Sequence, residues 1–353
     1  MSTDRLPYLP ALDKLRGIAV LLVLFTHTPH HLKGDLGLWV QQWLAPGYLG
    51  VDIFFALSGF LITRILLFER DRGGSILAFW KRRAVRIFPA FYLLVAVVAV
   101  VRWGPELPWV ATYLSNFHRL GSFPSPLRHT WSLAVEEHFY LVWPLLVLGL
   151  GRAGSLRAIL FGMLPLAIAT AVVVVTVFPE HQLDALGHLT PARILTLSLG
   201  SLLAYAEPSL WRRPVAWTLA ALAVGALGYA WAAAGFLEPV LRSTAGLHQL
   251  FGLALLSSAV TVLFLQGGRL PLPRAAALVG SPLAGVGRIR YGLYLYHLPI
   301  FWATGLKQGA TPPDHGTLAL TLAATFATAA LSYRFFERPL LAWGARFRVG
   351  RDG

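Results

Sequence analysis

The first apolar segment, LDKLRGIAVLLVLFTH, ends in a histidine and carries an arginine near its start. His27 follows Arg16 by 11 positions, which is within about 20° of three full helical turns and about 16 Å along the axis. Both side chains are therefore predicted on one helix face, with His27 deep in the membrane. Imidazole accepts and releases protons near neutral pH, so His27 is a candidate for proton transfer. A buried imidazole that is hydrogen-bonded to a neighbour is the alternative.

The histidines around this position do not predict a metal site. His27, His30 and His31 have helical spacing, but Pro29 interrupts the helix between them. No carboxylate or further ligand set stands nearby. We therefore expect no bound metal.

A pair of glutamates interrupts the apolar stretch Thr130–Pro144, TWSLAVEEHFYLVWP. Glu136 and Glu137 are predicted at a membrane depth similar to that of His27, where a carboxylate would orient the imidazole and stabilise its cation. Adjacent helical residues point about 100° apart, so one of the two is expected to face the polar cavity. The sequence does not say which. An interhelical polar contact is the alternative.

Two further segments carry polar residues within apolar runs. In GYLGVDIFFALSGFLITR, Asp52 lies near the outer end, and Ser58 precedes a glycine near the middle. Ser58 lacks the strand–turn–helix context of a hydrolase nucleophile, and its small neighbour favours close helix contact. In YGLYLYHLP, which begins at Tyr291, His297 lies near the middle of the membrane. For His297 a structural hydrogen bond and a substrate contact fit equally well, and Asp52, Ser58 and Tyr291 are further candidates for either role.

The run FWKRRAVRIFP places Arg83 and Arg86 three residues apart, hence on one face of a helix at the cytoplasmic side. Two guanidinium groups held together form a good site for phosphate groups. Anchoring of the helix at the cytoplasmic surface is the alternative.

The elements that position these residues are predicted to be transmembrane helices. The chain has 353 residues, of which 56% are hydrophobic and 13% charged, well below the charged share of soluble domains. About 20 apolar residues span a bilayer as a helix. The fold class is therefore an all-α integral membrane protein, one transmembrane domain over 1–353 with about ten helices. The predicted spans are 12–32, 47–68, 86–103, 130–150, 156–178, 191–206, 214–234, 245–266, 289–306 and 316–336.

The charge distribution predicts the orientation. With the N-terminus in the cytoplasm and the spans alternating, 23 of the 30 lysines and arginines fall inside, which is the bias of the positive-inside rule. Both termini, with short tails, are then cytoplasmic. Cations spread over helix ends also argue against nucleic acid as a partner. The seven expected on the outside are Lys33, Arg102, Arg119, Arg128, Arg193, Arg242 and Lys307.

Other features narrow the chemistry. The absence of cysteine excludes disulfides, thiol catalysis and cysteine-ligated metals. No secretory signal peptide is evident at the N-terminus, and no internal repeat of fixed period is visible. We expect a multi-pass protein of the cell membrane in contact with lipid, and the sequence does not indicate its oligomeric state.

In order along the chain, these segments resemble the acyltransferase 3 family of membrane proteins. The resemblance runs from about Leu12 to Pro339 and rests on LDKLRGIAVLLVLFTH, GVDIFFALSGFLIT, RRAVRIFP, TWSLAVEEHFYLVWP, YGLYLYHLPI and SYRFFERPL. It implies that His27 is the catalytic histidine, that Arg16 is its essential partner, and that Arg83 and Arg86 contact an acyl-CoA donor. The hydrolase-like C-terminal domain that some members carry is not expected.

The resemblance implies an O-acyltransferase that moves an acyl group, with acetyl as the leading candidate, from acyl-CoA to a hydroxyl of a carbohydrate, glycolipid or other acceptor. No permanent cofactor is implied. The alternative is a multi-pass transporter or an export component without transfer activity, for which CoA binding is the discriminating property.

Overall fold

In the computed structural model the described residues are 6–44, 46–118, 125–205, 245–267, 282–307 and 313–347. They form helices joined by turns and contain no β-strand, so the all-α prediction is confirmed for this part of the chain. A short helical segment over 282–288 precedes the helix that carries His297. The α-helices are α1 (Pro10–His27), α2 (Gly34–Leu44), α3 (Pro46–Arg70), α4 (Ile76–Val101), α5 (Leu107–Ala111), α6 (Ser115–His118), α7 (Trp131–Ala158), α8 (Leu164–Val177), α9 (Gln182–His188), α10 (Thr190–Tyr205), α11 (Ala245–Gly267), α12 (Arg290–Ala303), α13 (His315–Ser332) and α14 (Arg338–Gly344).

Five helical stretches of the described chain are long and apolar enough to cross a membrane. One of them, Arg128–Val177, has 50 residues, so a straight helix would measure about 75 Å against a hydrocarbon core of about 30 Å. Gly151 breaks it with φ 75° and ψ −176°, a left-handed backbone that favours glycine. The break separates the predicted spans 130–150 and 156–178. The predicted span 214–234 lies outside the described residues, and the count of ten and the cytoplasmic termini stay predictions.

The first helix ends earlier than its predicted span. α1 stops at His27, and Thr28 is extended with ψ 136°, because the residue before a proline is disfavoured in the helical region. The predicted span 12–32 is therefore helical without interruption only to residue 27, and the predicted interruption of the helix at Pro29 is confirmed. His27 is the last residue of α1, close to the start of α3, where a Cβ added to Gly47 would meet Thr26.

Helix α3 lies at the centre of the bundle, because it packs against α1, α7, α10 and α11. Its approach to α10 depends on two glycines: a Cβ at Gly59 would collide with the backbone of Leu197, and one at Gly200 with the backbone of Ala56. Small residues allow such close contact between membrane helices. The prediction of a helix contact at the Ser58–Gly59 pair is confirmed for Gly59.

A buried ion pair also joins α3 to α10. The Arg193 guanidinium Nη2 donates to Asp52 Oδ2 at 2.6 Å, and Thr196 Oγ1 donates to Asp52 Oδ1 at 2.6 Å. Asp52 is fully buried and Arg193 is 1% exposed. The Arg193 guanidinium also lies 5.2 Å from the centre of the Phe55 ring. Asp52, a candidate for substrate contact, is therefore occupied by a structural contact within the bundle, and Arg193 is not a surface anchor.

We expect Asp52→Ala and Arg193→Ala each to lower the free energy of unfolding by about 3–5 kcal/mol, because each leaves one charge buried and unpaired. The double variant Asp52→Leu with Arg193→Leu should lose much less free energy of unfolding than the sum of the losses in the two single variants. Reversible unfolding in mixed micelles measures all of these. Asp71→Ala, which removes an exposed ion pair of 4.0 Å, is the control and should cost under about 1 kcal/mol. Additive losses in the double variant would contradict the pairing.

Candidate active site

The predicted donor-binding arginines surround one cavity of about 210 Å³, the inner cavity. Arg16 reaches it from α1, Arg83 and Arg86 from α4, and Arg290 from the start of α12. Arg16 and Arg86 are both electrostatic neighbours of Arg290. The shared face of Arg83 and Arg86 is as predicted, whereas Arg290 was expected to be a cytoplasmic anchor.

Each of three inner-cavity arginines is held by a polar or aromatic neighbour. Arg16 Nη1 donates to Asp13 Oδ1 at 2.6 Å, and the Tyr8 hydroxyl donates to the same carboxylate. Arg290 Nη1 donates to the Gly287 carbonyl at 2.8 Å. Arg83 lies 5.0 Å from the centre of the Tyr140 ring, which fixes the guanidinium by a cation–π contact. The arginines therefore present a preorganised positive surface to the cavity.

A hydrogen-bonded triad of side chains joins α3 to α7 in the inner cavity. Ser58 Oγ donates to Glu136 Oε1 at 2.6 Å, and the Tyr140 hydroxyl donates to Glu136 Oε2 at 3.0 Å. The two hydroxyl oxygens are 2.9 Å apart. Because both carboxylate oxygens accept a hydroxyl proton, Glu136 is fixed in its rotamer. Ser58 is a member of this polar triad and not only a small residue for helix packing.

Both glutamates of α7 line the inner cavity. The prediction that only one of the two glutamates faces a cavity is therefore wrong. The inner cavity extends around enough of α7 for two side chains about 100° apart to reach it. Glu137 is an electrostatic neighbour of Glu136 and Arg83. Tyr291 also lines this cavity, and its hydroxyl donates to the Ile87 carbonyl at 2.8 Å.

His27 lines a second cavity of about 360 Å³, the outer cavity. Its Nδ1 lies 2.9 Å from the Val23 carbonyl oxygen. A carbonyl only accepts, so this bond assigns the proton of neutral His27 to Nδ1 and leaves the Nε2 lone pair free. That tautomer can accept a proton from a hydroxyl or attack an acyl carbon.

Two further imidazoles stand beside His27. The ring centre of His297 lies 4.9 Å from those of both His27 and His129. His297 Nδ1 donates to the Tyr294 carbonyl at 2.7 Å, and His129 Nε2 donates to the Leu295 carbonyl at 3.1 Å. Their other nitrogens, His297 Nε2 and His129 Nδ1, are buried without a hydrogen-bond partner among the described residues. We call these three residues the histidine cluster.

Val51 and Tyr294 line both cavities and form the boundary between them. The Tyr294 hydroxyl donates to the His129 carbonyl at 3.0 Å and is also hydrogen-bonded to Ser132. Neither Glu136 nor Glu137 lines the outer cavity. The predicted contact between a glutamate and His27 is therefore not found: the two are separated by the boundary.

Comparison with known proteins fits this arrangement. The model of an acyltransferase domain, that of the acyltransferase 3 family, matches residues 9–337, nearly the whole chain. The chain belongs to the acyltransferase 3 family. It is thus a multi-pass membrane protein, as predicted.

Relatives in this family carry acetyltransferase names. The peptidoglycan O-acetyltransferase OatA of Listeria monocytogenes is 31% identical over 94% of this chain and 56% of its own length. YrhL of Bacillus subtilis, provisionally named a peptidoglycan O-acetyltransferase, is 31% identical over 98% of this chain and 57% of its own. A Staphylococcus aureus protein provisionally named an O-acetyltransferase is 28% identical over 97% of this chain and 59% of its own length. The chain spans a little over half the length of these relatives. No solved structure matches it.

Sequence reasoning missed three residues that line the candidate site, and it also missed Arg193, the buried partner of Asp52 in the bundle. Arg290 and Arg193 were grouped with charges that orient the membrane helices. Tyr140 lies four residues after Glu136, hence on the same face of α7, which is a signal that the sequence did contain. His129 precedes a predicted span by one residue and was not counted as lying within it.

We expect Ser58→Ala and Tyr140→Phe each to lower the free energy of unfolding by about 1–2 kcal/mol, because each removes a hydrogen bond to the Glu136 carboxylate. Their effects should be coupled by about 0.5–3 kcal/mol, since both act through one carboxylate. A double-mutant cycle in detergent measures the coupling. Tyr140→Phe combined with Ser332→Ala, a serine that bonds to Tyr296 elsewhere, is the control and should be additive. Additivity of the first pair would contradict a shared network.

Proposed function

We propose that this chain is a membrane-embedded O-acyltransferase that moves an acyl group, with acetyl as the leading candidate, from acyl-CoA to an acceptor hydroxyl. The observation that carries the proposal is the pair of adjoining cavities, one lined by four arginines and the other by a histidine with a free nitrogen. A reaction between a phosphate-rich donor and a separate acceptor requires two such compartments. The acetyltransferase names of the relatives support the same reaction.

The inner cavity suits the donor. Guanidinium groups bind phosphate oxygens through paired, charge-assisted hydrogen bonds, and Arg16, Arg83 and Arg86 point such groups into one space. On the predicted orientation this cavity opens toward the cytoplasm, where acyl-CoA is found. The rise from Arg16 to His27 along α1, about 16 Å, is comparable with the extended pantetheine arm. The thioester would then reach the boundary at Val51 and Tyr294 while the phosphates stay on the arginines.

The chemistry is proposed to occur at His27. Its Nε2 takes the proton of the acceptor hydroxyl as that oxygen attacks the thioester carbonyl carbon. The carbon–sulfur bond then breaks, and the CoA sulfur receives the proton from the imidazolium. No carboxylate of the described residues lines the outer cavity, so the stabilising role first assigned to Glu136 and Glu137 passes to the histidine cluster. His297 Nε2 carries a lone pair that can accept from protonated His27.

Glu136 then has a role on the donor side. It is held by Ser58 and Tyr140, and Tyr140 in turn packs against Arg83. This chain of contacts makes Glu136 a positioning residue for the arginine that is proposed to bind the donor. Glu137, an electrostatic neighbour of the same arginine, moderates the charge of the cavity.

A two-step variant has the His27 nitrogen carry the acyl group before the hydroxyl attacks. To distinguish this two-step route from direct transfer, purified protein is mixed with isotope-labelled acetyl-CoA, quenched rapidly and analysed by peptide mass spectrometry. An acetyl group on the His27 peptide supports the two-step route. Failure to trap it with a slow acceptor supports direct transfer.

We expect His27→Ala to reduce acetyl-CoA cleavage by at least about 100-fold, because the proton acceptor is lost. Arg83→Ala should instead raise KM for acetyl-CoA by about 10- to 100-fold, the effect of one charge-assisted hydrogen bond. CoA release by detergent-purified protein measures both. His181→Ala and Arg157→Gln, which change exposed residues of the same types away from both cavities, should match the wild type.

Folded protein that neither binds nor cleaves acetyl-CoA or longer acyl-CoAs would contradict the donor assignment and favour the transporter alternative. Cleavage that survives in His27→Ala would leave the donor site in place and reject His27. We propose a carbohydrate, glycolipid or related molecule as the acceptor, and the relatives named for peptidoglycan add that polymer to the acceptors worth testing.

A further inference from the structure

The outer cavity is positively charged at its mouth. Arg128 and Lys307 line it, both are exposed, and the described residues that line it include no aspartate or glutamate. Partial burial and the positive charge of the nearby Lys307 lower the pKa of Lys33. Partial burial and the nearby Arg128 in turn lower the pKa of Lys307. Lys307 therefore interacts electrostatically with two other cations, and one of these, Arg128, lines the same cavity.

Within the part of the chain that the structure describes, Arg128 and Lys307 lack the acidic partners that two other arginines of the bundle have. Arg193 is paired with Asp52, and Arg82 with Glu69 at 2.5 Å. Neither Arg128 nor Lys307 makes an ion pair or a side-chain hydrogen bond with a described residue. Like charges held together beside a low-dielectric bundle repel each other unless an anion joins them.

Their position is also unusual for a membrane protein. On the predicted orientation only seven cations face outside, and Lys33, Arg128 and Lys307 are three of them. A fourth, Arg102, lies 5.2 Å from the ring centre of Trp302, which itself lines the outer cavity. The positive-inside rule accounts for cytoplasmic cations but gives no reason for a cluster on the outer side. A negatively charged ligand would explain why these cations lie together there.

We propose that the outer cavity binds an anionic acceptor: a hydroxyl-bearing saccharide that carries a carboxylate or phosphate group, which Arg128 and Lys307 bind. Tyr48 and Trp302, both half-buried in the cavity wall, supply aromatic faces for the sugar ring. This inference rests on the proposed function and adds the charge class of the substrate.

The bound anion also serves the chemistry. Lys307, Arg128 and Lys33 all act electrostatically on His27. When His27 accepts a proton, its new positive charge is opposed by these three, and no carboxylate of the described chain lines the cavity to offset them. A carboxylate or phosphate on the acceptor neutralises the cations at the moment when His27 becomes charged. An anionic acceptor should therefore both bind more tightly and react faster than its neutral counterpart.

The test uses the full chain in uncharged detergent with two matched sugars: cellotriose, and cellotriose in which one C6 hydroxymethyl is oxidised to a carboxylate. We expect the anionic sugar to bind at least about tenfold more tightly, measured by calorimetry and by tryptophan fluorescence, as one charge-assisted hydrogen bond provides. Arg128→Gln and Lys307→Gln should each reduce this ratio, and the double variant should abolish it. Arg128→Lys and Lys307→Arg, which keep the charge, should retain it, and Arg157→Gln should match the wild type.

The inference is overturned if the two sugars bind equally, if the neutral sugar binds more tightly or if neither binds. It is also overturned if the ratio of their affinities survives in the double variant. Acetyl-CoA cleavage is measured on the same samples, so loss of the proposed function is seen separately from failure of the charge preference. The sugar ratios are repeated in nanodiscs with and without phosphatidylglycerol. If the variants change only the dependence on this lipid, the cations bind headgroups and the inference is wrong.

Discussion

The ion pair between Asp52 and Arg193 is the contact on which the rest of the site depends, because two charges inside an apolar bundle can only be kept there together. It fixes the rotation of α3. Once Asp52 faces α10, the stripe that continues through Ala56 and Gly59 also faces α10, where the close backbone contacts lie. The neighbouring stripe of α3 then faces the cavities. Tyr48 lines the outer cavity, Val51 lies at the boundary, and Ser58 lines the inner cavity.

Periodicity within one helix predicted part of this arrangement. It brought Arg83 and Arg86 to one face of α4 and showed that α1 carries both Arg16 and His27. Contacts between side chains of different helices were harder to predict from the sequence. Equal depth on two helices does not fix their rotation, so Glu136 was expected beside His27 but bonds to Ser58 and Tyr140. Arg193 and Arg290 were missed for a related reason: a cation at a helix end is accounted for by the positive-inside rule before any site is considered.

The separation of the glutamates from the histidines gives the two cavities opposite electrostatic designs. The inner cavity holds cations and carboxylates together, so its charges are balanced in part by the protein itself. The described residues that line the outer cavity include cations and imidazoles but no carboxylate. A site that cannot neutralise its own charge depends on its ligand to do so. Charge balance, and not only shape, therefore distinguishes the compartment proposed for the donor from the one proposed for the acceptor.

The boundary between the cavities imposes a last constraint on the reaction. Val51 offers no polar group there, and the Tyr294 hydroxyl is occupied by Ser132 and the His129 carbonyl. Moving a phosphate past such residues would cost several kcal/mol in desolvation, whereas an acyl thioester is neutral and crosses at little cost. The proposed binding of the donor phosphates by the arginines and the proposed reach of a neutral acyl end to His27 both agree with this rule. For the proposed anionic acceptor, the same rule disfavours passage to the inner cavity, so the acyl group would be the part that changes compartment.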